Sequence, residues 1–547
     1  MISIVLSERD FDYELQALTN SFFPAQKISI LEEGHGEEPG RERLRQVLEE
    51  ASACIGIYLG TESIRISILF KTTCQGRGSE TIIKDRDREY WKQAKKEVTG
   101  GEDWHKHQDK TAHPYRTYYK NELKRLLFLM LREIPEELLP EGMIKRVPDW
   151  GTMTGVRPTK IPMNELLQGK SVAQVRQSLG KWYCCKEEKQ ELCLEIALRE
   201  AELLRQVNFE EGYSLYIGIP FCPTTCLYCS FPSYPYDKFC HLADDYLEAL
   251  KKELVFVAER CRGRRLTSIY IGGGTPTALE AGQLDELLCC VRRCFPEGEF
   301  CEFTVEAGRP DSITEEKLKV LNRYRVGRIS VNPQTMQQRT LDLIGRKHTV
   351  ADTAHAFHMA REIGFSNINM DLIIGLPGET AMDFEDTLNQ VRELGPDSVT
   401  VHSLVIKRAS RLRGVLEEGG NPLERESERE RQMEQMLALS RQFASEEAYR
   451  PYYMYRQKNS AGHFGSSGQE NIGYARKGKE CLYNILIMEE MQTIMAVGAG
   501  ASTKLYNPGK KIVSRVENVK SITDYIGRID EMLSRKEKMC FQTCFRQ

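Results

Sequence analysis

The sequence has no long hydrophobic run and no strong excess of one charge. No uncharged apolar stretch approaches the roughly 18 residues that a membrane-spanning helix needs. The first residues, MISIVLSERDFDYE, carry no basic segment and meet acidic residues early, unlike a signal peptide. The net charge is −3, with 76 Lys and Arg against 79 Asp and Glu, so nothing indicates a nucleic-acid surface. We therefore expect a cytoplasmic protein with no membrane insertion and no nucleic-acid partner.

The 17 cysteines are an odd number, which argues against a framework of disulfides. Thiols stay reduced in the cytoplasm, so metal binding or simple burial is expected instead. Two groups of cysteines lie in or beside amphipathic helical stretches: Cys184, Cys185, Cys193, Cys289, Cys290 and Cys294. Core packing is the prediction for both groups, because buried free cysteine behaves as a small hydrophobe. A second metal site is the alternative for the first three.

Short β-rich runs alternate with longer helical patterns in the middle of the chain. The runs are SLYIGI (214–219), TSIYIG (267–272), CEFTVE (301–306), GRISVN (327–332), NINMDLII (367–374) and SVTVHSL (398–404). Between them, apolar residues recur at three- and four-residue spacing. Six such units predict a parallel sheet with helices on its outer side, as an open sheet or a partial barrel. Functional groups in these folds gather at the carboxyl ends of the strands.

Three thiols follow the first of these strands, in YIGIPFCPTTCLYCSFPSY (216–234). Cys222, Cys226 and Cys229 have C-x3-C-x2-C spacing. Thiolates favour zinc or iron–sulfur clusters. A structural zinc site needs four ligands, and no second cysteine pair lies close by. Three thiolates can instead hold three irons of a 4Fe–4S cluster and leave the fourth open for a small chelating cofactor. A three-cysteine zinc site with a distant histidine is the alternative.

The segment CPTTCLYC resembles the signature of the radical S-adenosylmethionine (SAM) enzymes. The resemblance implies that Cys222, Cys226 and Cys229 hold a 4Fe–4S cluster and that SAM chelates its open iron. In that family, reductive cleavage of SAM gives a 5′-deoxyadenosyl radical. Later segments resemble the family's cofactor-contacting segments in the same order: YIGGGTPT, TVEAGRP, ISVNPQT, LIGRKHT and NINMDLIIGLPGET.

The resemblance assigns a set of residues to SAM binding. They are Tyr216, Tyr228, Gly273, Gly274, Thr275, Glu306, Gln334, Arg346, Asp371 and Val405. It implies that Glu306, Asp371 and Gln334 hold the ribose and amino group of SAM and that Arg346 holds its carboxylate. It also implies that the glycine segment, Gly273 to Thr275, contacts the methionine part. Core packing is the alternative for both tyrosines and for Val405.

Within this superfamily the chain is most similar to the oxygen-independent coproporphyrinogen III oxidase family. LYIGIPFCPTTCLYCSF, IYIGGGTPT, RISVNPQT and NMDLIIGLPGET carry that similarity, and WGTMTGVRPTKI (150–161) points to its HemZ-like branch. The implied reaction is oxidative decarboxylation of two propionates of coproporphyrinogen III, giving protoporphyrinogen IX. The implied partners are this porphyrinogen and an electron-donor protein such as flavodoxin or ferredoxin. Arg456 and Lys458 in YRQKN offer a basic clamp for its carboxylates, with a solvated loop as the alternative.

The fold implied is α/β: a partial (β/α)6 barrel of the radical SAM type, with an N-terminal α/β domain and a C-terminal α+β extension. We expect an N-terminal α/β domain of unknown role at 1–145, a helical connector at 146–207, the radical SAM core at 208–450 and a C-terminal α+β extension on the substrate side at 451–547.

Two departures from the oxidase pattern keep alternatives open. The C-x-C continuation of the oxidases is missing, since Phe231 follows Ser230, and Gly218 stands where the oxidases have histidine. The related haem chaperones also lack that fourth cysteine. Their haem-binding motif, His-Asn-x-x-Tyr-Trp, corresponds here to ENIGYA, with Glu470 and Ala475 replacing histidine and tryptophan. A haem-binding carrier and a radical SAM methyltransferase acting on haem are therefore the alternative functions.

Overall fold

The computed structural model describes residues 1–541, except positions 9, 25, 34–37, 61–62, 73–88, 99–114, 208, 210–211, 230–232, 297, 299, 406–411, 413–421, 458–469 and 510–511. Three positions noted above, Ser230, Phe231 and Lys458, lie outside the described residues. None of the helices in the described part of the chain is long and apolar enough to cross a membrane.

The N-terminal region forms a five-stranded sheet with helices on both faces. Its strands are β1 (Ile2–Leu6), β2 (Ile28–Glu32), β3 (Ala53–Leu59), β4 (Ser63–Lys71) and β5 (Glu89–Glu97), and its helices are α1 (Asp12–Phe22), α2 (Arg41–Leu48) and α3 (Tyr115–Arg132). The order is β2-β1-β3-β4-β5, with β1 parallel to β2 and β3 and the other pairs antiparallel. Helices α1 and α3 bury one face and α2 the other, as an α/β unit requires.

The connector consists of helices packed against the C-terminal region. They are α4 (Lys160–Leu167), α5 (Val172–Gln177) and α6 (Glu187–Arg205). Ser171 and Gln174 form a capping box that begins α5. The WGTMTGVRPTKI segment before α4 is tied down as well, because Arg157 Nη1 donates to the Met488 carbonyl at 2.8 Å.

The central region alternates strands and helices as the sequence predicts. It comprises β6 (Gly212–Ile219), β7 (Phe221–Cys222), β8 (Tyr234–Pro235), α7 (Tyr236–Phe239), α8 (Ala243–Arg260), β9 (Arg265–Gly273), α9 (Ala281–Cys294), β10 (Glu302–Gly308), α10 (Glu315–Arg323), β11 (Arg328–Val331), α11 (Gln338–Leu343), α12 (Val350–Ile363), β12 (Ile368–Ile374), α13 (Ala381–Leu394) and β13 (Ser398–Ser403). Local signals set the ends of these helices. For example, Thr349 and Asp352 close a capping box on α12, and Gly364 ends that helix with a φ of 111°.

The C-terminal region adds strands to both edges of the central sheet. Its elements are α14 (Pro422–Glu446), β14 (Arg450–Arg456), β15 (Glu470–Ala475), α15 (Leu482–Glu489), β16 (Thr493–Val497), β17 (Ser502–Asn507), β18 (Ile512–Glu517), α16 (Ile522–Gly527) and α17 (Ile529–Lys536). The resulting sheet has eleven strands in the order β14-β15-β13-β12-β11-β10-β9-β6-β16-β17-β18. Strands β6 and β9 to β13 are parallel and adjacent, which confirms the six-unit core of a partial barrel. The C-terminal extension is thus part of the same sheet, since β15 pairs with β13 and β16 with β6.

Alternation along the central strands separates the core from the lumen of the partial barrel. In β12, Ile368, Met370 and Leu372 are fully buried, whereas Asn369 and Asp371 line a cavity. This period of two is the normal geometry of a strand. The apolar side chains therefore pack under the helices while the polar ones project into the lumen.

Candidate active site

A cavity of about 400 Å³ opens at the carboxyl ends of the parallel strands. Its lining contains these predicted site residues: Cys222, Cys226, Cys229, Tyr228, Gly273, Gly274, Thr275, Glu306, Gln334, Arg346, Asp371 and Val405. Residues far apart in sequence are brought together because they lie on neighbouring strands of the central sheet, in the segments after those strands, or in the cysteine loop that follows β6. Tyr216 is the predicted site residue that lies behind this lining.

The cysteine loop is held by short strands and by two hydrogen bonds to sulfur. Cys222 lies in β7, which pairs with β8 on the far side of the loop. The Thr275 hydroxyl donates to Cys222 Sγ at 3.6 Å, and Arg309 Nη1 donates to Cys226 Sγ at 3.5 Å. Burial raises the pKa of the Cys222 thiol to about 11 in the protein without a metal. A metal would displace that proton, because a bound cation inverts the local pKa balance.

The glycine segment lies against the cysteine loop with no room for a side chain. A Cβ on Gly274 would sit 2.4 Å from the Phe221 carbonyl oxygen and 3.0 Å from Cys222 Sγ. The amides of Gly274 and Thr275 donate to the carbonyls of Ile219 and Phe221, at 2.7 and 2.6 Å. These amides therefore hold the glycine segment on the cysteine loop.

Arg346 presents a partly unsatisfied guanidinium to the cavity. Its Nη1 donates to the Asn332 carbonyl at 2.6 Å and its Nη2 donates to the Tyr228 hydroxyl at 3.2 Å. Its Nε is buried and has no hydrogen-bond partner within the described residues. A fixed, buried cation with a spare donor suits a carboxylate group.

Glu306 lies at the inner wall of the cavity behind the glycine segment. Tyr270 donates to its carboxylate at 2.5 Å. Burial raises the pKa of Glu306 to about 7, against the opposing effect of the Tyr270 hydroxyl. Tyr216 stacks on Tyr270 and Tyr483, with centroid separations of 6.3 and 6.2 Å. Tyr216 thus lies in an aromatic stack beside Glu306.

Gln334 and Asp371 face one another across adjacent segments. Gln334 has a φ of 71°, an uncommon conformation for a non-glycine residue that tends to occur at functional sites. Backbone hydrogen bonds fix it, because its amide donates to the Asp371 carbonyl at 3.0 Å and its carbonyl accepts from Ile373 at 2.8 Å. Asp371 lies in the middle of β12, where Asn369 Nδ2 donates to its Oδ1 at 2.7 Å.

Several lining residues were not expected from the sequence. Arg309, Arg328, His402 and Tyr455 all line the cavity. His402 Nδ1 lies 3.3 Å from Asn471 Oδ1 and its Nε2 lies 3.9 Å from Asp371 Oδ1. The sequence carried a signal for His402, because polar residues occupy every second position of the core strand SVTVHSL, as Thr400 and His402 do.

Arg456, the described residue of the predicted basic clamp in YRQKN, does not face the cavity. Arg456 is buried, its Nη1 donates to the Met153 carbonyl at 2.8 Å, and its guanidinium lies over the Trp150 ring. Alternation along β14 is the reason, because Tyr455 and Gln457 face the cavity while Arg456 faces the connector.

Glu470 is likewise part of the contact with the connector. It is fully buried, accepts a hydrogen bond from Trp150 Nε1 at 2.8 Å and lies 2.7 Å from Lys189 Nζ. Its carboxylate is held among connector side chains, so the predicted counterpart of the chaperone histidine does not face the cavity.

The residues present fit a cluster and SAM. Three cysteine thiols converge on one cavity from a single loop, and no three His, Cys, Asp or Glu side chains in the described ranges are arranged around one metal ion. In a cluster each thiolate binds a different iron, so the thiols need not meet at one point. The spare Arg346 donor suits the SAM carboxylate, and the carboxylates of Glu306 and Asp371 suit its amino and hydroxyl groups.

Comparison with known proteins agrees with this geometry. Residues 216–391 match the model of the Radical SAM superfamily, which is the class that the fold and the cavity indicate. The chain is 40% identical over 393 residues to the oxygen-independent coproporphyrinogen-III oxidase-like protein HemZ of Bacillus subtilis, covering 71% of this chain and 76% of that protein. It is 38% identical over 207 residues to the heme chaperone HemW of Bacillus subtilis, which is 38% of this chain and 54% of the relative. It is 35% identical over 192 residues to the oxygen-independent coproporphyrinogen III oxidase of Escherichia coli, which is 35% of this chain and 42% of the relative.

The chain therefore belongs to the radical SAM superfamily, in the family of oxygen-independent coproporphyrinogen III oxidase-like proteins. Its cofactors are a 4Fe–4S cluster and SAM.

Proposed function

We propose that this protein catalyses the oxygen-independent oxidative decarboxylation of coproporphyrinogen III to protoporphyrinogen IX. The observation that carries the proposal is the single cavity that gathers the cysteine loop with Glu306, Arg346 and Asp371. The relatives named as oxidases or oxidase-like proteins support the choice of substrate.

The proposed reaction assigns simple roles to the residues of the cavity. Cys222, Cys226 and Cys229 hold the cluster, and Arg346 holds the SAM carboxylate. When bound, the two cofactors supply a carbon radical that takes a hydrogen atom from the β-carbon of a propionate side chain. Loss of carbon dioxide and of one electron to an external acceptor then completes each vinyl group. The protein positions the reactants and excludes water and oxygen.

A haem carrier is the second candidate, because a heme chaperone is among the relatives. Against it stands the environment of Glu470. A carboxylate buried between Trp150 and Lys189 is directed towards the connector, and its release would leave an unpaired buried ammonium. A methyltransferase acting on haem would use the same cofactors and would differ in its product.

We further propose a cytoplasmic location and a low-potential one-electron donor protein, such as a flavodoxin or a ferredoxin. Cytoplasmic thiols stay reduced and available to iron. The division at residues 145, 207 and 450 and the substrate-side position of the C-terminal extension remain predictions.

Mass spectrometry of an anaerobic incubation tests the proposal. The mixture contains reconstituted protein, reductant, SAM and coproporphyrinogen III, and the Cys226→Ala variant serves as the control. Successive loss of two carboxyl groups together with formation of 5′-deoxyadenosine is the expected result. An unchanged porphyrinogen beside newly formed 5′-deoxyadenosine would contradict the substrate, and haem would then be tested as a ligand and as a substrate.

A further inference from the structure

Arg309 lies just beyond the carboxyl end of β10 and reaches into the cysteine loop. It is 3% exposed. Its Nη1 donates to the Thr224 carbonyl at 2.9 Å and to Cys226 Sγ at 3.5 Å. One guanidinium edge thus contacts both the backbone and a sulfur of the loop that holds the cluster.

Asp311 fixes the orientation of this guanidinium. Arg309 Nε and Nη2 donate to the two carboxylate oxygens of Asp311 at 2.9 and 2.6 Å. Burial would raise the pKa of Asp311, but the Arg309 guanidinium outweighs it and holds that pKa below its ordinary value. The carboxylate is therefore ionised at neutral pH, and the bidentate pair aims the remaining Nη1 at Cys226.

Hydrogen bonds to the sulfurs of an iron–sulfur cluster are a main determinant of its reduction potential. A donor that approaches a ligand sulfur stabilises the electron-rich, reduced form more than the oxidised form. Arg309 is a cationic donor held in a buried place, where electrostatic effects are larger than in water.

We propose that the hydrogen bond from Arg309 to Cys226 raises the reduction potential of the 4Fe–4S cluster. Arg309 would act on the cluster through the cluster ligand Cys226, so it is a positioning residue. In the couple concerned, the cluster gains one electron and a low-potential one-electron donor loses it, and no atom is transferred. The inference rests on the cluster and not on the identity of the substrate.

The test is a potentiometric titration of the cluster-loaded full chain, followed by electron paramagnetic resonance. Arg309→Gln removes the positive charge and the guanidinium. Arg309→Lys keeps the charge but cannot make the two paired hydrogen bonds to Asp311. Arg323→Gln is the matched control, because Arg323 lies on α10 with an exposed side chain paired to Asp285. Iron and sulfide are assayed in each sample to establish full loading.

For Arg309→Gln we expect the ratio of reduced to oxidised cluster at a fixed potential to fall about tenfold, which is about 59 mV for a one-electron couple. Arg309→Lys should fall between this variant and the wild type, and Arg323→Gln should match the wild type. Fully loaded Arg309 variants with the wild-type potential would overturn the proposal. Loss of the cluster from both would also overturn it, because Arg309 would then hold the loop rather than set the potential.

Discussion

Burial sets the charge state of individual residues in the cavity. Glu306 is enclosed by the glycine segment and Tyr270, and its pKa is raised from 4.5 to about 7. Because the folded protein holds this proton more tightly than the unfolded chain does, the contribution to stability is present below pH 4.5 and is lost as the pH rises through 7. The proposed binding of the SAM amino group by Glu306 has the opposite dependence, because it requires the ionised carboxylate.

We therefore predict that SAM binds the cluster-loaded protein about tenfold more weakly at pH 6 than at pH 8, since about a tenth of Glu306 is ionised one unit below its pKa. Isothermal titration calorimetry at the two pH values measures this. In Glu306→Gln the affinity should be lower at pH 8 and nearly independent of pH. The same pH dependence in Glu306→Gln as in the wild type would show that another group is responsible.

The three loop cysteines give the second prediction for single residues. Replacing Cys222, Cys226 or Cys229 with Ala should remove the cluster absorbance and the activity, because no other thiol follows in the loop. Cys289→Ala is the control, since Cys289 lies on α9, on the outer side of the barrel. A complete cluster in Cys226→Ala, measured by iron and sulfide content, would refute the ligand assignment.

Most candidate site residues could be predicted because each belongs to a local motif at a strand end. Arg309 in TVEAGRP and His402 in SVTVHSL were not singled out, because their contacts with the cysteine loop and with Asp371 depend on how neighbouring strands pack. Arg456 shows the converse error. A basic residue in a loop-like segment suggested a side chain that faces solvent or substrate. The alternation of side chains along β14 instead directs the Arg456 guanidinium towards the connector.

At the scale of elements, close packing of the glycine segment against the cysteine loop fixes the position of that loop. Gly274→Ala would place a methyl group 2.4 Å from the Phe221 carbonyl oxygen, so the loop has to move. We expect this variant to lose most of its bound iron after reconstitution, as measured by iron and sulfide content. Gly282→Ala is the matched control, because its Cβ would meet no atom within 4 Å and alanine favours the helix. Equal loading of the two variants would show that the packing is not needed.

A buried ion pair joins β15 to the connector helix α6. Lys189 and Glu470 have side chains only 4% and 0% exposed, so either partner alone would be an unpaired buried charge. Lys189→Met should reduce the free energy of unfolding by about 3–5 kcal/mol in urea titrations. The double variant Lys189→Met/Glu470→Gln should recover part of that loss.

An exposed lysine near the same helix provides the control for this pair. Lys186, paired with Asp149, has a side chain that is 60% exposed, and Lys186→Met should cost no more than about 1 kcal/mol. Similar losses for the two lysine variants would contradict a special role for the buried pair.

The order of the central elements was predictable because alternating strands and helices leave a strong local pattern. The edges of the sheet were not. Strand β16 is apolar and short, and its pairing with β6, some 280 positions earlier, depends on long-range contacts that no local pattern encodes. The sequence therefore predicted a C-terminal α+β extension but not which strands of the central sheet it would pair with.

Contacts between distant regions hold the whole molecule around the cavity. At the C-terminal end, Lys536 of α17 lies 2.7 Å from Glu253 of α8, both fully buried, and Tyr525 donates to the same carboxylate at 2.6 Å. At the opposite edge, β14 and β15 contact the connector. Near both edges of the eleven-stranded sheet, buried charged groups thus connect regions that are far apart in sequence.

The reaction proposed for the whole molecule can be followed through one hydrogen atom. Coproporphyrinogen III carrying deuterium on the β-carbons of its propionates is incubated anaerobically with the reconstituted protein, SAM and a reductant. We expect a divinyl product and 5′-deoxyadenosine that contains deuterium, because the proposed reaction takes hydrogen from those carbons. Deuterium-free 5′-deoxyadenosine, with the porphyrinogen recovered intact, would rule out the proposed decarboxylation.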